Sequence, residues 1–204
     1  MKYYFFRVMF VVIAVCMSVT ANCQQSKSYY SKDPHGTSVN SPTTYLGVGL
    51  GVNSIGILGG SIEGKFHEKV SLAASAGLGT WGYKLTAGGR YYFSDRTAIG
   101  ISYALATGLS KVRLNLENSS GNKQDINMQL LPVHLINITY HKFWKLGKGN
   151  SRFGVEAGYS ISLSPIHQYK VLDQSVTLSD NSVRVMNVLQ PGGLILGINF
   201  TFGR

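Results

Sequence analysis

From residue 44 to the end of the chain, large apolar residues alternate with small or polar ones. Four stretches carry the pattern most clearly. In 69–80, Val70, Leu72, Ala74, Ala76 and Leu78 are interleaved with Ser71, Ala73, Ser75, Gly77 and Gly79. In 97–109, Ile99, Ile101, Tyr103, Leu105 and Leu109 are interleaved mainly with Gly, Ala and Ser; 152–163 and 193–202 follow the same rule. Weaker runs at 45–52, 57–66, 83–93 and 126–143 complete a set of eight predicted strands. A period of two sends alternate side chains to opposite faces of a strand. No stretch shows the 3.6-residue period of an amphipathic helix.

The sizes on the two faces decide the architecture. A soluble sandwich or a lipocalin-like barrel puts large residues inside and polar ones outside. Here the small face could not surround a core made of eight large faces. The economical arrangement points the large residues at lipid and the small and polar ones at a narrow interior, the pattern of a transmembrane β-barrel. Closure also satisfies the backbone hydrogen bonds that lipid cannot. The expectation is an all-β fold, a closed antiparallel eight-stranded transmembrane barrel spanning 44–204.

The connections fit an alternation of ends. His67-Glu68, Ser94-Asp95-Arg96 and the 144–151 segment with Lys145 and Lys148 are short. Two connections, 110–125 and 164–191, are long and polar. Periplasmic termini would put the short turns inside and both long loops outside, as such barrels prefer.

The first 23 residues read as an export signal. Lys2 and Arg7 precede an apolar run from Met9 to Met17, too short for a spanning helix of about 20 residues. Cleavage would follow Ala21 or Cys23. Acylation of Cys23 is an alternative, although Thr20 and Asn22 fit a lipobox poorly, and an uncut anchor is another. Residues 24–43, rich in Ser and broken by Asp33-Pro34 and His35-Gly36, read as a flexible polar lead-in.

Composition adjusts this picture modestly. Only 14% of residues are charged, and there are 24 Gly, 12 Tyr and 9 Phe. A mean hydropathy of +0.05 leaves no room for a bundle of apolar helices. The net charge is +10. An export signal takes the chain away from nucleic acid, so the basic balance points to anionic lipid, lipopolysaccharide included, or a periplasmic polyanion. The two cysteines, Cys16 and Cys23, both fall in the export signal, which leaves the barrel no disulfide framework and no thiolate metal site.

At this point the chain resembles the eight-stranded outer-membrane barrels of the OmpA/OmpX kind, and most of all the small outer-membrane β-barrel domain family common in Bacteroidetes. The resemblance is carried by the export signal, the Gln24-Gln25 start, Leu130-Leu131-Pro132 in the sixth predicted strand, the Phe153-Gly154-Val155-Glu156-Ala157-Gly158-Tyr159 run, and the last strand. It implies recognition of that strand by the barrel-assembly machinery, although Gly203-Arg204 follow Phe202 where the family's signal ends on the aromatic. It implies no catalytic residues.

Candidate chemistry is sparse. Glu63, Lys65, Lys84, Arg90, Arg152 and Glu156 all phase to the small-residue face. Buried charges are costly alone, so the expectation is a lumen charge network that fills the interior; an ion path is the competing reading. Tyr91, Phe93, Tyr103, Tyr140, Phe143, Trp144, Tyr159, Phe200 and Phe202 are expected to form aromatic girdles at the lipid interfaces. Lys142, Lys145 and Lys148 would meet headgroups or water. Gly59 to Lys65 imitates a phosphate-binding loop, but Phe66 stands where Ser or Thr is needed and the run alternates as a strand. Gly47, Gly49 and Gly51 read as lumen glycines. His141 is expected in the lumen or a turn, and His134 in packing. His35, His67 and His167 make no metal-ligand spacing. His167 with Ser162 or Ser164 is the one faint hydrolase candidate. Asn118-Ser119-Ser120 is a sequon by pattern alone. No metal or cofactor is expected.

The function expected is that of a non-enzymatic outer-membrane barrel acting through its long loops. The alternatives are a lipid-modifying enzyme, a narrow pore and a soluble periplasmic binding barrel.

Overall fold

A computed structural model describes residues 44–52, 54–147, 150–173 and 176–204. The export signal and lead-in expected for 1–43, with Lys148 of the third short turn, lie outside the described residues.

The alternation folds as eight antiparallel strands that close on themselves. In chain order the strands are β1 (Thr44–Val52), β2 (Leu58–His67), β3 (Val70–Gly79), β4 (Gly82–Ser94), β5 (Thr97–Ala106), β6 (Leu109–Glu117), β7 (Lys123–Leu130), β8 (Val133–Lys145), β9 (Ser151–Ser162), β10 (Tyr169–Val171) and β11 (Gly193–Gly203), with one helix, α1 (Asp180–Leu189), before β11. The barrel runs β1-β11-β9-β8-β5-β4-β3-β2 and back to β1. The last strand closes it: Leu46 faces Phe202 and Val52 faces Leu196 across the β1–β11 seam. Closure leaves no barrel strand with a free edge.

The large apolar face points outward. Leu46, Val48, Leu50, Val52, Ile101, Ile138, Leu194 and Phe202 are exposed by 40% or more. The small face lines the lumen, with Glu63, Ser71, Asn137, Ser160, Asn199 and Thr201 buried there. Glycine lets the interior accept more than side chains. The connection after β1 turns inward, so that Ser54 and Ile55 are buried. A Cβ on Gly59 would stand 2.2 Å from Ile55 Cγ2, and one on Gly49 2.9 Å from Ile55 Cδ1. Only glycine leaves that volume free.

Three features depart from the sequence expectations. The sixth predicted strand, 126–143, is two strands. β7 ends at Leu130 and β8 begins at Val133, because Pro132 has no N–H for a ladder and the Leu131 amide turns away to the Gln168 carbonyl at 2.8 Å. The long connections 110–125 and 164–191 are not simply loops in their described residues. They fold together as a cap in which β7 is flanked by β6 and β10. The third correction is α1 itself, which the periodicity does not predict. Ser179 caps it, its hydroxyl accepting from the Ser182 amide.

The cap holds its own apolar core. Leu116, Ile126, Met128, Leu130 and Met186 cluster with Trp81, Ala104, Ala106, Val133 and Leu135 from the barrel mouth. The Trp81 indole donates to the Leu131 carbonyl at 2.9 Å. At the tip of the β6–β7 hairpin, Asn118 Oδ1 accepts from the Ser120 and Asn122 amides, both at 3.0 Å. The sequon pattern is therefore a turn, of the kind Asn forms with its own backbone.

Candidate functional site

The lumen gathers the buried charge near the end formed by the short turns. Alternation along β2, β4 and β9 aims Glu63, Arg90 and Arg152 inward from three sectors of the wall. The Glu63 carboxylate sits 2.8 Å from Arg90 Nη1 and 2.6 Å from Arg152 Nη2. It also accepts from the Ser71 hydroxyl at 2.6 Å and from the Tyr92 hydroxyl. Arg152 donates to Thr201 Oγ1 at 2.9 Å and to Tyr92 at 3.1 Å. Its guanidinium lies 3.8 Å from the Tyr45 ring centre and 4.1 Å from that of Phe143. Lys65 stands over the Tyr92 ring at 4.2 Å. Each oxygen of Glu63 thus has two donors, both arginines have an anion, and Arg152 has aromatic faces as well. Burial of charge is tolerated under those conditions.

The six charges expected in the lumen divide into two groups. Lys65 joins Glu63, Arg90 and Arg152. Lys84 and Glu156 lie nearer the cap end, both buried and acting on one another electrostatically. Glu156 Oε2 accepts from the Ser54 hydroxyl at 2.7 Å, which ties the inward-turned connection to β9. Between the groups lies a cavity of about 40 Å³, lined by Ser61, Ser75, Thr86, Ser102, Thr139 and His141 among others. Thr86 Oγ1 and His141 Nδ1 face no protein partner. A polar cavity of that size accommodates a few water molecules.

Phe143 is a correction. The sequence places it in a girdle, yet it is 2% exposed, stacked between Tyr92 at 6.0 Å and His141 at 5.9 Å. β8 departs from the size rule at its ends. Its inward set is Val133, Leu135, Asn137, Thr139, His141 and Phe143, apolar at one end to meet the cap and aromatic at the other to meet Arg152. The remaining predicted girdle residues, Tyr91, Phe93, Tyr103, Tyr140, Trp144, Tyr159, Phe200 and Phe202, are at least 42% exposed. Near the short turns, Phe153 links two of them, with ring centres 5.8 Å from Trp144 and 5.1 Å from Phe200. Tyr92 falls in the sequence with Lys84, Thr86 and Arg90 on the inner face, but neither it nor Tyr45 is expected in the charge network. Their places in the alternation carry that signal, but aromatic type suggests lipid.

The histidines separate as their spacing predicts. His141 is buried in the lumen, 2.9 Å from Thr139 Oγ1. His134 faces outward and meets the Tyr103 hydroxyl. Ser164 Oγ accepts from the His134 amide at 2.9 Å, and the Ser162 hydroxyl donates to the Ser164 carbonyl at 3.3 Å. The His167 ring packs edge-on against Tyr169 at 5.9 Å. Among the described residues no hydrogen bond joins His167 to either serine. The Gly59–Lys65 imitation of a phosphate loop lies on β2 as a strand. Among the described residues there is no cluster of three or more metal-ligating side chains.

No protein-family profile matches the chain. No curated protein sequence matches it either. A solved structure similar to it is that of the N-terminal β-barrel domain of Pseudomonas aeruginosa OprF, at 13% identity and a TM-score of 0.40, covering 79% of this chain and 96% of that one.

Proposed function

We propose that this chain is an integral outer-membrane β-barrel protein without enzymatic activity, with a closed lumen and a folded external cap through which it meets its surroundings. The observation that carries this reading is the outward apolar face of a closed barrel, with Glu63, Lys84, Arg152 and Glu156 buried in its interior and the outward polar residues of β8, His134 and Lys142, near the two ends of that strand. In water such a surface has no stable place. In a bilayer it is the expected lining, and closure removes every unpaired strand edge from the hydrocarbon.

Export is assigned to residues 1–23, and the partners are outer-membrane lipid and lipopolysaccharide around the belt. The β11 strand, which closes the barrel, is the natural recognition element for the barrel-assembly machinery. A closed lumen, rather than a pore, is supported by Ser54 and Ile55 at one level and the Glu63–Arg152 pair at another. Membrane fractionation with gel mobility of boiled and unboiled samples tests the reading. Recovery in the membrane, resistance to carbonate extraction and a heat-dependent shift are expected. Soluble recovery with no shift would overturn it.

A further inference from the structure

The cap leaves one face of α1 uncovered. The helix turns Ser182 and Met186 onto the cap, with the Ser182 hydroxyl donating to the Glu117 carbonyl at 2.9 Å. Along its flank run Val185, Val188 and Leu189, spaced i, i+3 and i+4 and therefore neighbours on one face. They are exposed by 48%, 84% and 41%. At about 100° per residue, Asp180, Arg184 and Asn187 fall on a different side. This is an amphipathic helix whose apolar flank is not used in the cap's own packing.

That flank leads to the barrel's lipid-facing belt. Four residues after Leu189, β11 begins at Gly193, and the outward Leu194 is 60% exposed. Gln190 fastens the helix end to the segment leaving β9. Its Oε1 accepts from the Gln168 amide at 3.4 Å and its Nε2 donates to the Pro165 carbonyl at 3.3 Å. Within that fastened segment Ile166 is 75% exposed, and Leu163, just past the end of β9, is 55% exposed. Apolar surface therefore continues past the belt's upper edge along both chain segments that leave it.

We infer that α1 and Ile166 form an interfacial lipid anchor at the cap end. Val185, Val188, Leu189 and Ile166 enter the boundary between headgroups and acyl chains, while Asp180, Arg184 and Asn187 stay in water. Interfacial helices bury their apolar faces to about 5–10 Å in this manner. The anchor would hold the cap against the bilayer and couple its placement to lipid packing. The inference rests on the outer-membrane reading, so the test must separate the two.

Single cysteines at Val188, Ile166, Asn187 and the belt residue Leu196 are introduced into the full chain with Cys16 and Cys23 replaced by serine. Each variant is purified from membranes, labelled with an environment-sensitive fluorophore and reconstituted in phosphatidylcholine–phosphatidylglycerol vesicles. Quenching is compared between lipids spin-labelled high on the acyl chain and a water-soluble agent. Labels at Leu196, Val188 and Ile166 are expected to lose emission to the lipid quencher and to resist the aqueous one, with Asn187 the reverse. If Leu196 meets lipid while Val188 and Ile166 behave like Asn187, the anchor is overturned and the barrel reading stands. If Leu196 also sits in water, both fall. Shielding of Val188 and Ile166 from both quenchers overturns the anchor in favour of a protein partner on that face.

Discussion

Glu63 on β2 and Arg152 on β9 meet across the lumen at 2.6 Å, 89 residues apart in the chain. The same carboxylate holds Arg90 of β4 at 2.8 Å. One anion therefore joins three sectors of the barrel wall that share no backbone ladder.

Removing that anion should cost more than removing either cation. Glu63→Gln leaves two buried guanidiniums uncompensated, and breaking a buried pair in this way typically costs about 3–5 kcal/mol. Arg152→Met leaves Glu63 still paired with Arg90, so a smaller loss is expected. Guanidinium unfolding in lipid vesicles, followed by gel mobility, gives the order. An Arg152→Met barrel weaker than Glu63→Gln would show that the cation's contacts with Tyr45 and Phe143 outweigh the pairing.

Lipid contact makes the cost of an outward charge depend on depth. Arginine at the middle of a lipid-facing strand costs about 2–4 kcal/mol, falling to about 0–1 near the interface. Ile101, in mid-strand and 63% exposed, should show the large cost on replacement by Arg. Phe93, near the end of β4 and 61% exposed, should show the small one. Both penalties are read from unfolding midpoints in vesicles. Equal costs at the two positions would contradict a belt that spans the bilayer.

The inward connection at Ser54-Ile55 should keep the barrel closed to ions. The wild-type protein is expected to give little or no steady conductance in planar bilayers. Ile55→Asp puts an unpaired charge into the space left by Gly49 and Gly59, a burial costly enough to expel the connection. The thiol of a Ser54→Cys variant, unreactive when Ile55 is kept, should then react with a water-soluble maleimide. Large, stable channels from the wild type would refute closure. A thiol that stays unreactive when Ser54→Cys is combined with Ile55→Asp would refute the account of the connection.

Asp173 gives the cap an acid-sensitive clasp. Its carboxylate accepts from the Asn127 amide at 2.8 Å, and this bond, with one from the Asn127 side chain, holds its pKa below the ordinary carboxyl value. A lowered folded-state pKa means that the stabilisation is present above the ordinary value of about 4 and is lost as pH falls through the folded one. The protection factor of the Asn127 amide, taken against the intrinsic exchange rate at each pH, should therefore hold from neutral pH to mild acid and fall only in stronger acid. Asp173→Asn should remove most of that pH dependence. If Asn127 protection has the same acid profile in the variant, the clasp is not the cause.

Much of the barrel is legible in the sequence because period two acts residue by residue. Val70 to Gly79 declare which side chains face lipid without knowledge of any other strand. The hydrophobic pattern also places Glu63, Arg90 and Arg152 on the inner face, since alternation settles facing regardless of residue type. Type misleads at Phe143, where a large aromatic on the inner phase reads as a girdle residue. The lumen there is wide enough to stack it on Tyr92 and His141.

The cap is not legible for a different reason. Its core joins Leu116, Ile126, Met128 and Met186 with Trp81 and Val133, and each segment alone is short, mixed and largely polar. The helix does carry Val185, Val188 and Leu189 at helical spacing, but so short a run inside a long polar connection does not by itself declare a helix. Seven of the barrel strands, their facing and the closure of the barrel are legible in the sequence, because they follow from local alternation and the need to satisfy backbone hydrogen bonds; the run at 126–143 is misread as one strand where the structure has β7 and β8. That one carboxylate serves two arginines, that Gly49 and Gly59 receive Ile55, and that two distant connections pack as one cap are legible only in three dimensions. Each of those depends on which residues meet across space, and no local period records that.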